Sequence, residues 1–444
     1  MSGGVAVLGS GPAGVACARA LLASGARVTL FDGRPRSGPV SSTCHAALPS
    51  PTPGGPSTAW GASILPYRDR DLAEWPFGER ELGEHYRAVL RFMPLAGEHD
   101  ALEEVLPLYT DEPGHMPVTP QIASLVGDFA KNASKLRRAG IVAGRSRLAL
   151  QSDLDVARMT TDPHFDYRPG QVVERIEEVA DHVTLRLRNA GGTPDPQRFE
   201  RAFVATGVLS STRLGLMALG AYDQDVDLQD SQHFTAPLLR LPSTPVSTTT
   251  SGVTLAQAFL EIDSPEVSAN TVHVQIYGYS DLVLREVAGR LRLPPGPVER
   301  HGQSLLGRLM LARWHLHSNS SDPIRVRLQR DETLHLERPA DDARPRAEAR
   351  AVARRLLRAF RELRTLVLLP QPHAWEPARG SHLGGTFPMA RRPRGLQSDL
   401  LGRPGGLERV HLVDGSVLPT IPATTVTFSI MANAHRIGHE AAAA

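Results

Sequence analysis

VAVLGSGPAGVACARALLASGARVTLFDG, residues 5–33, decides the fold. Val5, Ala6, Val7 and Leu8 form a short all-apolar run, the pattern of a parallel strand covered on both faces. Gly9, Gly11 and Gly14 follow in a G-x-G-x-x-G register. The first glycine permits a tight turn, the second lets backbone approach a pyrophosphate, and the third lets a helix pack on the strand. Pro12 and Ala13 open that helix, where proline's φ is already helical and free N–H groups attract phosphate. Apolar residues run on to Leu22, Gly25 stops the helix, and residues 27–31 read as a second strand closed by Asp32. A carboxylate at this distance takes the ribose hydroxyls of an adenosine. Strand, glycines, helix, strand and acid in this order predict a dinucleotide site for FAD or NAD(P). The fingerprint does not choose between the two.

Around this unit lie 444 residues, enough for two to three domains by length. The formal net charge of +2 gives no argument for nucleic acid or an acidic membrane. Basic residues are almost all arginine, Lys131 and Lys135 being the lysines. Cys17 and Cys44 make no disulfide framework, which favours a reducing compartment. MSGG leads straight into the first strand without a basic n-region or cleavable apolar region. No apolar run approaches the ~20 residues needed to span a bilayer. A soluble, cytoplasmic protein without nucleic-acid partner or membrane span is expected.

Further along, a Pro- and Ser-rich loop after Asp32 gives way to an apolar stretch and a helical pattern over residues 71–92. A second helix is expected over 121–136. From Gln171 the pattern alternates, as in a small meander that includes Val173. FVATGVLSSTRLGLMAL, residues 203–219, reads as buried strand, small-residue turn and helix, with Thr206 and Gly207 in the turn. Strand-like runs between about 240 and 340 predict an antiparallel sheet with one face covered. An arginine-rich amphipathic helix over 346–364 follows, then strand, loop and closing helix. The fold class expected is α/β: a discontinuous Rossmann-like domain (residues 1–92, 165–238 and 370–444) interrupted by a mostly antiparallel substrate-binding domain (93–164 and 239–369).

Several segments resemble the glucose–methanol–choline (GMC) oxidoreductases, FAD-dependent enzymes that oxidise alcohols and sugars. VHLVDGSVLPTIP, residues 410–422, is similar to that family's C-terminal signature. SHLGGTFPM, residues 381–389, matches its H-x-x-G-T-x-x-M segment through His382, Gly385, Thr386 and Met389. GGPSTAWG, residues 54–61, resembles the glycine-rich loop along the flavin. Ser57-Thr58-Ala59-Trp60 is similar to the S-T-H-W stretch of pyranose oxidases, whose histidine carries the flavin covalently. Ala59 stands at that position, so the resemblance implies non-covalent FAD. Cys44 and His45 form a second conceivable attachment point, with an ordinary loop pair as the favoured reading.

The resemblance makes His382 the base that takes an alcohol's proton as hydride passes to flavin N5. An imidazole near neutral pKa is chemically suited to that task. Thr425 aligns where the family usually has a second His or Asn, with Val426 where proline is common. By the same resemblance Ser57, Trp60, Gly61, Val173, Thr206, Gly207, Asp414, Gly415, Thr425 and Val426 join Gly9, Gly11, Pro12, Ala13, Gly14 and Asp32 around FAD. Trp314 and His317 are candidates for substrate contact, His315 and His317 being expected on one side of a strand. His233 is a further candidate for such a role, with a surface loop residue as the favoured reading. Two alternating histidines without an acid or cysteine cluster give no metal site. The activity expected is oxidation of an alcohol group on a sugar, polyol or glycosylated metabolite, with oxygen, a quinone or a carrier protein as electron acceptor. The departure at Thr425 leaves a flavoprotein lyase or another non-redox FAD-containing catalyst as the alternative, and an NAD(P)-binding scaffold as a third.

Overall fold

A computed structural model describes residues 3–33, 40–42, 60–150, 154, 156–188, 196–242, 255–278, 307–337, 342–368 and 382–443. The opening segment folds as its pattern dictates. Val5–Leu8 is buried throughout, helix Pro12–Ala23 follows, and Val28–Asp32 lies parallel to the first strand. The parallel sheet runs Val410–Leu412, Arg201–Val204, Val5–Leu8, Val28–Asp32 and Phe165–Pro169. Residues from three remote parts of the chain therefore build one sheet. Helix Thr427–Ala443 packs on helix Pro12–Ala23 so closely that a side chain at Gly438 would lie 2.8 Å from the Cys17 carbonyl. The antiparallel meander of Val172–Glu178, Val183–Arg188 and Pro196–Phe199 attaches beside it.

A six-stranded antiparallel sheet forms the other large layer. Its order is Thr365–Val367, His233–Arg240, Leu309–His315, Val272–Tyr277, Ala258–Ile262 and Ile141–Arg145. One face carries Phe234, Leu260, Val274, Met310, Ala312 and Trp314 into a core closed by helices Pro120–Lys131 and Arg344–Glu362. A third sheet, in which Asp225–Asp230, Ile324–Leu328 and Leu334–Glu337 are neighbours, buries Val226, Leu228, Val326 and Leu336 in the core shared with the parallel sheet. Strands Ile324–Leu328 and Leu334–Glu337 thus pack with the nucleotide-type core, although they follow the six-stranded sheet's central strand in the chain.

Two helices start or break differently from their hydrophobic pattern. The helix expected over 71–92 is Glu79–Leu90, because Pro76 and Gly78 interrupt the apolar stretch and the Glu81 carboxylate accepts from the Gly78 N–H at 3.1 Å. The helix expected over 121–136 is two, Pro120–Lys131 and Ala133–Arg138. At the break the Asn132 side chain donates to the Asp128 carbonyl at 2.9 Å, competing with the helical ladder. Among the described residues no helix is long and apolar enough to cross a membrane.

Candidate active site

Four neighbouring parallel strands end at the same edge, and each delivers a fingerprint residue there. Val5–Leu8 leads into Gly9, Gly11, Pro12, Ala13 and Gly14; Val28–Asp32 ends on Asp32; Arg201–Val204 leads to Thr206 and Gly207; Val410–Leu412 leads to Asp414 and Gly415. Ligands of open α/β sheets bind outside the carboxyl ends of their strands. Gly9 has φ +106°, and a Cβ there would stand 2.3 Å from the Ala205 carbonyl. At Gly14 a Cβ would lie 1.9 Å from the Gly9 carbonyl, so helix and turn touch through backbone alone. No side chain caps the helix start at Gly11, which keeps that terminus available to phosphate. Asp32 accepts from the Tyr167 hydroxyl at 2.7 Å. Val173 belongs to the meander strand beside Gly33, where backbone of Gln171 and Val172 crowds the glycine.

Asp414 is buried, and burial raises its carboxyl above the usual range. Its oxygens accept from the Gly207 N–H (2.9 Å), the Ser211 hydroxyl (2.5 Å) and the Ser416 N–H (3.0 Å). Asp414 therefore ties the two turns after adjacent strands together. Trp60 packs partly buried against the first core, and its Nε1 has no partner among the described residues. Gly61 is exposed. Ser57, with the Gly54 loop, Cys44 and His45, lies outside the described residues.

His382 stands where the third sheet meets the six-stranded one. It precedes the edge strand Leu383–Gly384, which pairs with the end of Asp225–Asp230. The chain then crosses to His233–Arg240, and Ser231 fastens this corner: its N–H donates to the His382 carbonyl (3.1 Å) and its hydroxyl to the Leu316 carbonyl (2.8 Å). Backbone contact at the next residues needs glycine, since a Cβ at Gly384 would lie 2.4 Å from the Gly415 carbonyl. The corner brings His382 onto His315, with ring centroids 4.8 Å apart and planes 21° from parallel.

His315 is the centre of a row across the six-stranded sheet. Its cross-strand partners are His233 on one side and His273 on the other, and His273 pairs in turn with Glu261. Directly opposed residues share a face, so all four project toward the same side. The next row on this face holds Thr235, Arg313 and Gln275. His273 Nδ1 and Glu261 Oε1 are 2.6 Å apart, both side chains being closed to solvent. The Nδ1 atoms of His382 and His315 are buried without a hydrogen-bond partner among the described residues. Burial above all pushes His382 down to about 4. Burial also holds His315 well below the ordinary histidine value. Both rings are neutral at pH 7, and a neutral imidazole presents one nitrogen as acceptor.

The other site expectations fall elsewhere. His233 is not a surface loop residue: it opens a strand, partly buried, with its ring 5.2 Å from that of His315. His317 does not share a strand face with His315, because the strand ends at His315. It caps a short 3₁₀ turn, accepting from the Asn319 N–H at 3.1 Å. Trp314 points to the opposite face and stacks on Phe234 in the second core. Thr425 donates to the Ser63 carbonyl at 3.2 Å. Its neighbour Thr424, which the sequence reading passed over, is fully buried with no partner for its hydroxyl among the described residues. Val426 is buried beside them. His273 and Glu261 were also missed; the one signal for them is a polar residue at inward positions of TVHVQIYG and AFLEI. Among the described residues no group of three or more His, Cys, Asp or Glu is placed to hold a metal ion.

The fold and site define a dinucleotide-binding α/β protein with a second, antiparallel sheet. Residues 7–71 match the model of an NAD(P)-binding Rossmann-like domain. No curated protein matches the chain. Among solved structures, pyridoxine 4-oxidase from Mesorbium loti superposes with a TM-score of 0.67 at 15% identity, covering 99% of both chains. A single-site variant of formate oxidase from Aspergillus oryzae RIB40, described for its effect on FAD modification, gives 0.63 at 16% identity, covering 99% of this chain and 98% of the other. The chain has the fold of these two oxidases.

Proposed function

We propose that the protein is an FAD-dependent oxidoreductase that oxidises an alcohol group of a sugar, polyol or glycosylated metabolite, with His382 as base. The observation that carries this reading is His382 itself: a partly buried, neutral imidazole whose enclosed Nδ1 has no partner among the described residues, set between the nucleotide-type edge and a polar sheet face. When bound, FAD supplies the two-electron acceptor for the hydride that leaves the alcohol carbon. The chain fits that cofactor. At Gly9 and Gly14 only hydrogen fits against the backbone of the turn, the helix start is uncapped, and the buried Trp60 Nε1 has no partner among the described residues. Gly9, Gly11, Pro12, Ala13 and Gly14 hold the pyrophosphate, Asp32 the ribose, and Thr206, Gly207, Gly415 and Val426 the path between, with Asp414 bracing the turns. Ser57, Trp60, Gly61, Val173 and Thr425 complete the surroundings in the same proposal. Attachment is non-covalent, on the strength of Ala59.

His382 takes the hydroxyl proton on its imidazole, and its stack on His315 fixes the ring plane. Thr235, Arg313 and Gln275 offer hydrogen bonds to the rest of a small polar substrate. Thr425, engaged with Ser63, retains acceptor capacity only. Its engagement favours the second reading, a flavoprotein lyase or other non-redox catalyst, because it removes the usual second proton-handling group. The two-part division at residues 93–164 and 239–369, a cytoplasmic location, and oxygen, a quinone or a carrier protein as electron acceptor belong to this same proposal.

Mixing the yellow protein anaerobically with a panel of sugars and polyols tests it. Bleaching of the flavin band by a member of the panel is expected. A folded, flavin-loaded protein that no alcohol bleaches overturns it, and turnover with an unchanged spectrum selects the second reading.

A further inference from the structure

The Glu261–His273 pair beneath His315 has no role in the reaction as written above. A carboxylate this deeply buried is costly unless it is paired, and the pairing here is directional. The Tyr277 hydroxyl donates to Gln275 Oε1 at 2.5 Å, which turns the amide nitrogen toward His273 Nε2, 3.3 Å away. An N–H at that point requires Nε2 to accept. The ring hydrogen of His273 therefore sits on Nδ1 and points at Glu261, 2.6 Å away. The other oxygen of Glu261 faces Arg68 at 3.6 Å. Arg68 is itself held by Asp71, through Nε at 2.6 Å and Nη2 at 3.0 Å. Glu261 is thus a fixed buried carboxylate whose nearest cation is shared with another acid.

Between it and His382 lies His315, whose ring centroid is 6.3 Å from that of His273 and 4.8 Å from that of His382. We propose that Glu261, oriented by His273, is a positioning residue that sets negative charge behind the His315–His382 stack and stabilises the positive charge His382 acquires with the substrate proton. The inference rests on His382 as the base. Glu261 makes and breaks no bond: the proton moves from the hydroxyl to His382, whose imidazolium then lies over the neutral face of His315. Glu261, His273 and His315 are buried, and through such a low-dielectric layer the attraction of a fixed carboxylate reaches across the intervening ring. The other titratable groups around the stack are His233 and Arg313 on the same sheet face and Asp230, buried at the end of the strand paired with Leu383. Of these, only Asp230 is an acid, and it ends the strand that pairs with Leu383 beside His382.

The test is a pH titration of ¹⁵N-histidine-labelled holoenzyme by NMR, the His382 signal being identified by its loss in His382→Asn. Glu261→Gln is expected to move the His382 titration down by about one pH unit and to slow anaerobic flavin bleaching about tenfold. Glu261→Asp, which keeps the charge, restores most of both. A folded, flavin-loaded Glu261→Gln protein in which His382 titrates as in the wild type overturns the inference. Should Glu261→Gln fail to fold, Arg68→Met removes the competing cation and raises the titration; no change there overturns the inference equally. A shift without bleaching by any alcohol leaves the charge coupling standing and removes the oxidation reading. Bleaching without a shift does the reverse.

Discussion

The glycine turn after the first strand and the histidine row on the six-stranded sheet are the two halves of the candidate site, and they are made by opposite means. The turn is backbone: Gly9 and Gly14 matter for the side chains they lack, and every part lies within residues 5–14. The row is side chain: His233, His315, His273 and Glu261 come from four strands and meet only through sheet register. A backbone site tolerates no added atom but is indifferent to pH. A side-chain site tolerates substitution of shape but depends on charge and protonation.

That contrast orders the expected effects. Gly9→Ala places a methyl 2.3 Å from the Ala205 carbonyl at a positive φ. A loss of roughly 3 kcal/mol and of bound flavin is expected, read by denaturant unfolding and by the absorbance of the purified protein. His382→Ala leaves the glycine turn untouched, so flavin is retained while the bleaching rate falls about 10²- to 10⁴-fold. Loss of flavin in that variant would show that the two halves are not separable.

Acid offers a third test. His382 is held at about 4 in the folded chain, below its unfolded value, so the unfolded chain binds more protons between the two. Its contribution to stability is complete above the ordinary value of about 6.5 and is lost as pH falls toward 4. The melting temperature should drop through that window, and drop less steeply in His382→Ala. The smallest effects concern the threonine pair. Thr425→Val, which removes the bond to Ser63, should cost about 1 kcal/mol. Thr424→Val, whose hydroxyl has no partner in the described chain, should stay within about 0.5 kcal/mol in stability. A fall in bleaching rate specific to Thr424→Val would move that hydroxyl into the substrate's surroundings.

The legibility of the two halves in sequence follows from the same difference. The strand, glycines, helix and acid of residues 5–33 were readable because each requirement is local: an apolar run, a residue without Cβ, a residue with helical φ. His382 was readable through a motif around it. His233 was misread because its role comes from a corner at Ser231 that joins two sheets, and nothing near it in the chain announces that corner. Trp314 and His315 are neighbours in sequence, yet strand alternation sends one into the core and the other to His382. Which face would be core depended on where helix Arg344–Glu362 came to rest.

By itself, then, the sequence determined a dinucleotide-type α/β unit, its glycine cradle, an antiparallel partner sheet and a histidine set among glycines. Only the tertiary structure decided that His382 stacks on His315, that His273 and Glu261 stand behind it, and that Thr425 is tied to Ser63. Local patterns encode backbone shape because sterics act between neighbouring residues. The charge environment of a buried side chain is set by strands that meet through long-range register, and no local pattern carries it.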